Sequence, residues 1–95
     1  MTSKQRAYLR SMANTLQPIF QIGKGGISAN IYKQFEDALE ARELVKASVL
    51  NNADIPAKMV AEDIATEIGA EVVSVVGNKF VLYKESKKHK TIELG

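Results

Sequence analysis

The chain has 95 residues, of which 45% are hydrophobic and 25% are charged, and its formal net charge is +2. This size and composition are typical of one globular domain, and no apolar run is long enough to span a membrane. The absence of cysteine excludes disulfides and thiolate metal sites. The N-terminus leads into no hydrophobic segment, so we expect no signal peptide and a cytoplasmic protein.

Charged residues are strongly segregated along the chain. Residues 1–35 contain five basic residues and no acidic residue, whereas residues 36–71 contain nine acidic residues against three basic ones. Residues 72–95 are basic again, with five lysines and two glutamates. Such a chain can fold into one basic face, which attracts polyanions, and one acidic face. The alternative is that these charges only solvate the surface.

Hydrophobic spacing predicts three helices alternating with strands, followed by a hairpin. Thr2 or Ser3 is expected as the N-cap of the first helix, and Thr2 with Gln5 matches the capping-box spacing. A first strand ends at Ile22. The later elements are expected at about 29–42 (helix), 44–50 (strand), 55–68 (helix), 72–76 (strand) and 80–84 (strand). Two right-handed crossovers make the first three strands parallel, and the hairpin adds an antiparallel strand. The predicted fold is an α/β two-layer sandwich of order α-β-α-β-α-β-β, with a four-stranded mixed sheet.

Smaller signals refine this prediction. Asp54 is expected as an N-cap with Pro56 in the first helical turn, and Gly69 as a C-terminal cap. Gly77-Asn78 is a hairpin turn signal. The continuous β-branched run from Val72 to Val76 indicates a central strand. Residues 1–95 are expected to form one domain, with 85–95 as a basic, partly flexible tail.

The most distinctive motif is the glycine loop Gly23-Lys24-Gly25-Gly26, between the first strand and the second helix. Its glycines permit close backbone approach, the following helix presents unpaired amides, and the lysine suits a phosphate. The spacing fits neither a Walker A loop nor the dinucleotide fingerprint. It does match the Gly-x-x-Gly loop with which K-homology domains clamp single-stranded nucleic acid. The alternative is a tight strand-to-helix turn.

Catalytic chemistry has little support in the sequence. The single histidine, His89, lies in a lysine-rich segment, and the acidic pair Glu62-Asp63 falls on the outer face of a helix. No nucleophile and base are paired by spacing. We therefore expect no enzymatic activity, no metal and no cofactor.

An ordered series of motifs covers nearly the whole chain. They are Lys4-Gln-Arg-Ala-Tyr-Leu-Arg10, Ile22-Gly-Lys-Gly-Gly-Ile27, Ala38-Leu-Glu-Ala-Arg-Glu-Leu-Val-Lys46, Glu67-Ile-Gly-Ala70 and Val75-Val-Gly-Asn-Lys-Phe-Val-Leu-Tyr83. This series resembles the CRM domain family (chloroplast RNA splicing and ribosome maturation), in particular its small bacterial YhbY-like members. The resemblance implies a fold similar to the C-terminal domain of translation initiation factor three. It also implies RNA binding and association with precursors of the large ribosomal subunit.

Residue types and resemblance together predict an RNA site on the glycine loop and the basic segments. Gly23, Gly25 and Gly26 would supply backbone amides and Lys24 a phosphate contact. The other expected cations are Arg6 and Arg10, with Lys4, Lys33, Lys84, Lys87 and Lys88 widening the field. Tyr8 and Tyr32 could stack on bases, although packing at the edge of the core is the alternative for both.

The expected partner is RNA, namely large-subunit ribosomal RNA or its precursor particle, bound by a monomer. Two alternatives remain at this point. The acidic residues could form a protein-interaction surface, with the glycine loop only a turn. The glycine loop could also belong to a small enzyme that acts on a phosphorylated ligand.

Overall fold

A computed structural model of the protein describes residues 1–23, 29–51, 53 and 55–94. Within them the chain forms three helices and four strands in the predicted order. Their bounds are α1 Ser3–Ala13, β1 Phe20–Ile22, α2 Ala29–Arg42, β2 Leu44–Val49, α3 Ala57–Ile68, β3 Glu71–Val76 and β4 Lys79–Tyr83.

The four strands form one mixed sheet in the order β1-β2-β4-β3. β1 runs parallel to β2, and β4 runs antiparallel to both β2 and β3. β1, β2 and β3 therefore point in one direction, and β4 is the single antiparallel strand. The predicted α/β class and four-stranded mixed sheet are confirmed.

The prediction that β3 is a central strand is wrong, because β4 lies between β2 and β3 and leaves β3 at the edge. The valine run has another cause. A register irregularity between Val72 and Ser74 accompanies burial of Val73 beneath α1. Val72 and Val75 instead pack against the core on the other face. β3 is apolar on both faces because helices cover both faces, although only one neighbour strand pairs with it.

The helices divide between the two faces of the sheet. Buried side chains of α2 and α3, such as Phe35, Leu39 and Ile64, form one core with β1, β2 and β4. Leu9 and Ala13 of α1 belong to a second core on the opposite face. The sheet and the α2–α3 layer correspond to the predicted two layers, and α1 adds a partial third one.

Helix ends follow the local sequence. The Thr2 side chain accepts from the Gln5 amide at 3.1 Å, and the Gln5 side chain accepts from the Thr2 amide at 2.9 Å, which confirms the capping box. Gly69 caps α3 with a φ of 73°, and Gly77 turns the hairpin with a φ of 59°, as expected. α3 begins two residues later than predicted, because Pro56 is extended and occupies the N-cap without a side-chain bond. The expected N-cap, Asp54, lies outside the described residues.

Glu43 is the single residue that joins α2 to β2. It adopts a φ of 65°, and its side chain is fully buried. Its carboxylate accepts hydrogen bonds from the amides of Ser86 (2.8 Å), Thr91 (2.6 Å) and Ile92 (2.8 Å). Burial by itself raises the pKa of Glu43, but these amide bonds outweigh burial and lower it. The buried carboxylate therefore binds the C-terminal segment while charged.

Glu40, one turn earlier on α2, binds the same segment. Its carboxylate accepts from the Ser86 hydroxyl and from the amides of Lys87 (3.2 Å) and Lys88 (3.0 Å). These bonds, that of Ser86 first, lower the pKa of Glu40 to about 2. Of the tail that we expected to be partly flexible, the stretch from Ser86 to Ile92 is thus tied to two carboxylates, and Ile92 is buried.

We predict that Glu43→Gln lowers the free energy of unfolding by about 2–3 kcal/mol, since an amide cannot replace a charged acceptor of several buried donors. Chemical denaturation at neutral pH would measure this. The matched control is Glu85→Gln, which removes only an exposed ion pair with Lys90 and should cost less than about 1 kcal/mol. Equal stability of the two variants would contradict the role of Glu43.

The same variant has a defined pH dependence. Because the pKa of Glu43 in the folded protein lies below its ordinary value of 4.5, the stabilisation is complete above that value and disappears as pH falls through the folded pKa. The stability difference between wild type and Glu43→Gln should therefore be constant at neutral pH and shrink in acid. Glu40 is present in both proteins, so its titration cancels from this difference.

Candidate nucleic-acid interface

One end of the sheet collects the features that favour an anion. The register aligns Gln21 of β1 with Ser48 of β2, and Lys79 of β4 pairs with both Ser48 and Val76 of β3. The parallel strands β1, β2 and β3 therefore end within one residue of a common row. Gly23 follows Ile22 directly, and the amide of Leu50 donates to the Ile22 carbonyl at 2.8 Å. α2 and α3 both begin at this end, which we call the loop end, and neither carries an acidic residue in its first turn. The positive ends of both helix dipoles therefore lie there.

The remainder of the glycine loop, Lys24, Gly25 and Gly26, lies outside the described residues. Gly23 is half-buried at the start of the loop. The proposed backbone clamp therefore stays a prediction from the sequence. The described residues that flank it, Gly23 and the start of α2, lie at the loop end.

α1 lies across the half of the sheet that is remote from the loop end. Near its start, the Arg6 guanidinium donates to the Val72 carbonyl on the edge strand β3. Near its end, the Lys46 ammonium of β2 donates to the carbonyls of Ala13 (3.2 Å) and Leu16 (3.3 Å). This leaves the half of the face near the loop end partly uncovered.

A cleft of about 300 Å³ opens between the last turn of α1 and this uncovered half of the sheet. It combines cations from α1, β2 and β4 with apolar side chains. Its lining contains no carboxylate among the residues that the structure describes. The lining residues are Arg10, Ala13, Asn14, Lys46, Ser74, Val76, Lys79 and Val81. We call this the sheet cleft.

The lysines of the C-terminal segment lie elsewhere. Lys87 and Lys88 are bound through their amides to Glu40, near the end of α2, whereas the glycine loop precedes the start of α2. α2 has 14 residues. At 1.5 Å per residue, about 20 Å separates these lysines from the loop end.

Two further predicted cations, Lys84 and Lys33, have partners of their own. The Lys84 ammonium donates to the Ile68 carbonyl at 2.8 Å, at the end of α3. Lys33 forms an exposed ion pair with Asp37 at 3.0 Å, and this neighbour raises the pKa of Lys33. The predicted site residues therefore form two groups rather than one continuous surface.

Tyr8 and Tyr32, the two tyrosines considered for base stacking, differ in their surroundings. Tyr32 donates to both carboxylate oxygens of Asp63, at 3.2 and 3.1 Å, and so links α2 to α3. Burial, followed by the Asp63 hydrogen bond, raises the pKa of Tyr32. Tyr8 is half exposed on α1, in the same shallow groove as Lys4. Tyr8 thus shares α1 with Lys4, Arg6 and Arg10, whereas the hydroxyl of Tyr32 is engaged by Asp63.

Five exposed acidic side chains lie on the opposite face. Exposed carboxylates line the outer surfaces of α2 and α3, and this group consists of Glu36, Asp37, Glu62, Asp63 and Glu67. The segregation along the sequence is thus reproduced in space, with α1 and the sheet cleft on one face and these carboxylates on the other.

Two negative findings concern only the described part of the chain. Within residues 1–23, 29–51, 53 and 55–94, no three histidine or carboxylate side chains come close enough to hold a metal ion. Nor does any helix there have the length and hydrophobicity that crossing a membrane requires.

Comparison with known proteins identifies the family. The family model described as the CRS1/YhbY (CRM) domain matches residues 1–84. The chain belongs to the CRM domain family. It is 51% identical over 94 residues to the probable RNA-binding protein YqeI of Bacillus subtilis, covering 99% of this chain and 98% of that protein. An RNA-binding protein of Haemophilus influenzae is 28% identical over 90 residues, covering 95% of this chain and 91% of that protein.

The fold of this CRM domain also matches a known solution structure. SAV1595 of Staphylococcus aureus superposes with a TM-score of 0.82 at 49% sequence identity, over 100% of this chain and 99% of that one. The resemblance drawn from the ordered motifs is therefore confirmed at the level of family and fold.

Sequence reasoning missed two cations of this CRM domain, Lys46 and Lys79. Lys46 interrupts the otherwise buried strand β2, and a charged residue inside an apolar strand was the available signal. Lys79 carried no such signal, because its position beside Lys46 and Arg10 depends on the insertion of β4 between β2 and β3.

Variants of Lys46 and Lys79 should distinguish a lysine that stabilises the fold from a lysine that is only exposed at the surface. We predict that Lys46→Met lowers the free energy of unfolding by about 1 kcal/mol, because the carbonyls at the end of α1 lose a charged donor. Lys79→Met, at an exposed position, should change it by less than about 0.5 kcal/mol. Thermal or chemical denaturation of the two variants would test this, and equal losses would contradict the capping role of Lys46.

Proposed function

We infer that the protein binds RNA through the face that carries α1, the sheet cleft and the glycine loop. The observation that carries this proposal is the concentration of Arg10, Lys46 and Lys79 around a cleft at the loop end, with no described carboxylate in its lining. A basic concavity opposite an acidic face orients a polyanion before contact. The relatives named as RNA-binding proteins support RNA as that polyanion.

The residues have different roles in this proposal. Lys24 and the amides of Gly23, Gly25 and Gly26 hold one phosphate at the loop end, in the manner of helix N-terminal anion sites. Arg10 and Lys4 contact the neighbouring backbone from α1. Arg6 contributes its charge, although one of its donors is occupied by the Val72 carbonyl.

Lys84, Lys87 and Lys88 act only on RNA long enough to reach about 20 Å beyond the loop end. Lys33, on the second turn of α2, lines a groove with Lys84 and Lys87 and is paired with Asp37. Lys87 and Lys88 are the more available pair, since their side chains are exposed and only their amides are bound to Glu40. The affinity for a short RNA should therefore not depend on Lys84, Lys87 or Lys88.

The protein acts by binding and not by catalysis. Most contacts reach the RNA backbone, so recognition depends on shape more than on base sequence. We propose that it works as a monomer in the cytoplasm and assists assembly of the large ribosomal subunit by binding its ribosomal RNA. The association with precursor particles is what the CRM resemblance implies.

A second candidate function is supported by the exposed carboxylates of α2 and α3. They form a surface that could bind a basic protein partner, with the glycine loop only as a turn. Salt-dependent RNA binding distinguishes the two candidates, because only the first requires phosphate contacts.

We predict that RNA affinity falls steeply with salt. If lysines and arginines make about four to six phosphate contacts, the slope of log K against log salt should be about −3 to −4 for single-stranded RNA. Arg10→Ala should weaken binding about fivefold, the value of one charge-assisted contact. Arg42→Ala is the matched control, since Arg42 is exposed in the last turn of α2 as Arg10 is in α1. A slope near zero would contradict an electrostatic RNA site.

A prediction on the glycine loop tests the link to ribosome assembly. Gly26→Asp places a negative charge beside the expected phosphate, and its repulsion is on the order of 1–4 kcal/mol. The folded variant, checked by the dispersion of its amide signals, should no longer sediment with large-subunit precursors in cell extracts. Glu62→Lys is the control for the acidic face and should sediment as wild type does. Glu40→Lys is unsuitable, because Glu40 binds the C-terminal segment. Loss of sedimentation in Glu62→Lys alone would favour the protein-interaction function.

A further inference from the structure

Val76 is an unusual member of the basic face. It is 75% exposed at the end of β3, directly opposite Lys79 of β4, and its side chain forms an apolar wall of the sheet cleft. The cleft therefore presents apolar surface and cations to the same ligand. Its volume of about 300 Å³ is at the lower limit of small-molecule pockets.

The polar groups around the cleft are available to a ligand. The side chains of Asn14 and Ser74 form no hydrogen bond with the residues that the structure describes, and both line the cleft. The Lys46 ammonium donates two of its three N–H groups to the carbonyls of Ala13 and Leu16. The cleft can thus supply one amide, one hydroxyl and the charges of three cations.

We propose that the sheet cleft binds one unpaired nucleotide of the RNA. Its base packs against Val76, and the base edge faces the amide of Asn14 and the hydroxyl of Ser74. Its phosphate lies between Arg10 and Lys79. A nucleotide combines an apolar face, a polar edge and an anionic group, which is the combination that this lining matches. The proposal rests on the RNA-binding function inferred above and adds a site that distinguishes single-stranded from duplex RNA.

The cleft and the glycine loop can act on one strand of RNA. β1 and β4 are separated only by β2, so Lys79 lies about 10 Å from the strand that leads into Gly23. A duplex would keep its bases stacked and could offer the cleft only phosphates. An unpaired strand held by the loop can instead place a neighbouring base against Val76.

Nuclear magnetic resonance tests the cleft directly. On titration with uridine 5′-monophosphate, the amide signals of Ser74, Val76 and Lys79 should shift and saturate. Inorganic phosphate at the same concentrations should shift Lys79 but leave Ser74 unchanged. Equal shifts with both ligands, or no shift with the nucleotide, would overturn the base site. Saturating shifts with a polyglutamate peptide instead would assign the cleft to an acidic protein.

Variants connect the cleft to RNA binding. Val76→Asp should weaken binding of an oligouridylate by about tenfold, through lost apolar packing and charge repulsion, and affect a duplex of equal charge much less. Gln34→Asp, which adds the same charge on the exposed surface of α2, is the control. Val76→Thr should weaken oligouridylate binding by about threefold. Because threonine keeps the β-branched shape of a strand residue, this variant tests the apolar contact without disturbing the fold.

The outcomes separate the two proposals. If wild type binds neither RNA, the proposed function fails, and the nucleotide titration still decides whether the cleft binds a base. If wild type binds both RNAs and Val76→Asp weakens both equally, RNA binding stands and the nucleotide site is overturned. If Val76→Thr binds the oligouridylate as tightly as wild type does, the base does not pack against Val76.

Discussion

Two crossovers, β1–α2–β2 and β2–α3–β3, determine how the rest of the molecule is arranged. Both connect parallel strands in the same direction across the sheet, so right-handedness places α2 and α3 on one face. The opposite face is left to α1, to the C-terminal segment and to any ligand. The acidic residues of the chain are concentrated in the crossover helices, and nine of the thirteen basic residues precede them or follow them. Segregation of charge on the surface is therefore a direct consequence of the connections.

Glu43 closes the face that the crossovers leave open. It reverses the chain between α2 and β2 without a loop, and its backbone donates to the Leu39 carbonyl and accepts from the Lys84 amide. A non-glycine residue in the left-handed conformation costs on the order of 1 kcal/mol. Three amide bonds to the carboxylate offset this cost and bring Ile92 into the core beside α1. The C-terminal segment thus helps to cover the half of the sheet that is remote from the loop end.

The sequence pattern predicted those features of the fold that depend on interactions between neighbouring residues. Element order, the capping box at Thr2 and the turns at Gly69 and Gly77 depend on residues within a few positions of each other. The position of β3 did not follow, because a run of valines reports burial on both faces and not the number of neighbouring strands. The role of Glu43 was also invisible, since its partners are 43 to 49 residues away. The sheet cleft is formed by residues of α1, β2, β3 and β4. No spacing of residues along the chain predicts that these four elements come together.

Several cations hold the protein together, and two of them, Arg6 and Lys84, are among those that the sequence analysis assigns to RNA. Arg6 binds the edge of β3, Lys46 binds the end of α1, and Lys84 binds the end of α3. Each partner is a carbonyl, which is neutral, so the positive charge persists after the hydrogen bond forms. Such a cation still attracts a polyanion at a distance but has fewer donors left for direct contact. We therefore expect the electrostatic field of the basic face to be broader than its set of phosphate contacts, and we expect the direct contacts to concentrate at exposed cations such as Arg10 and Lys79.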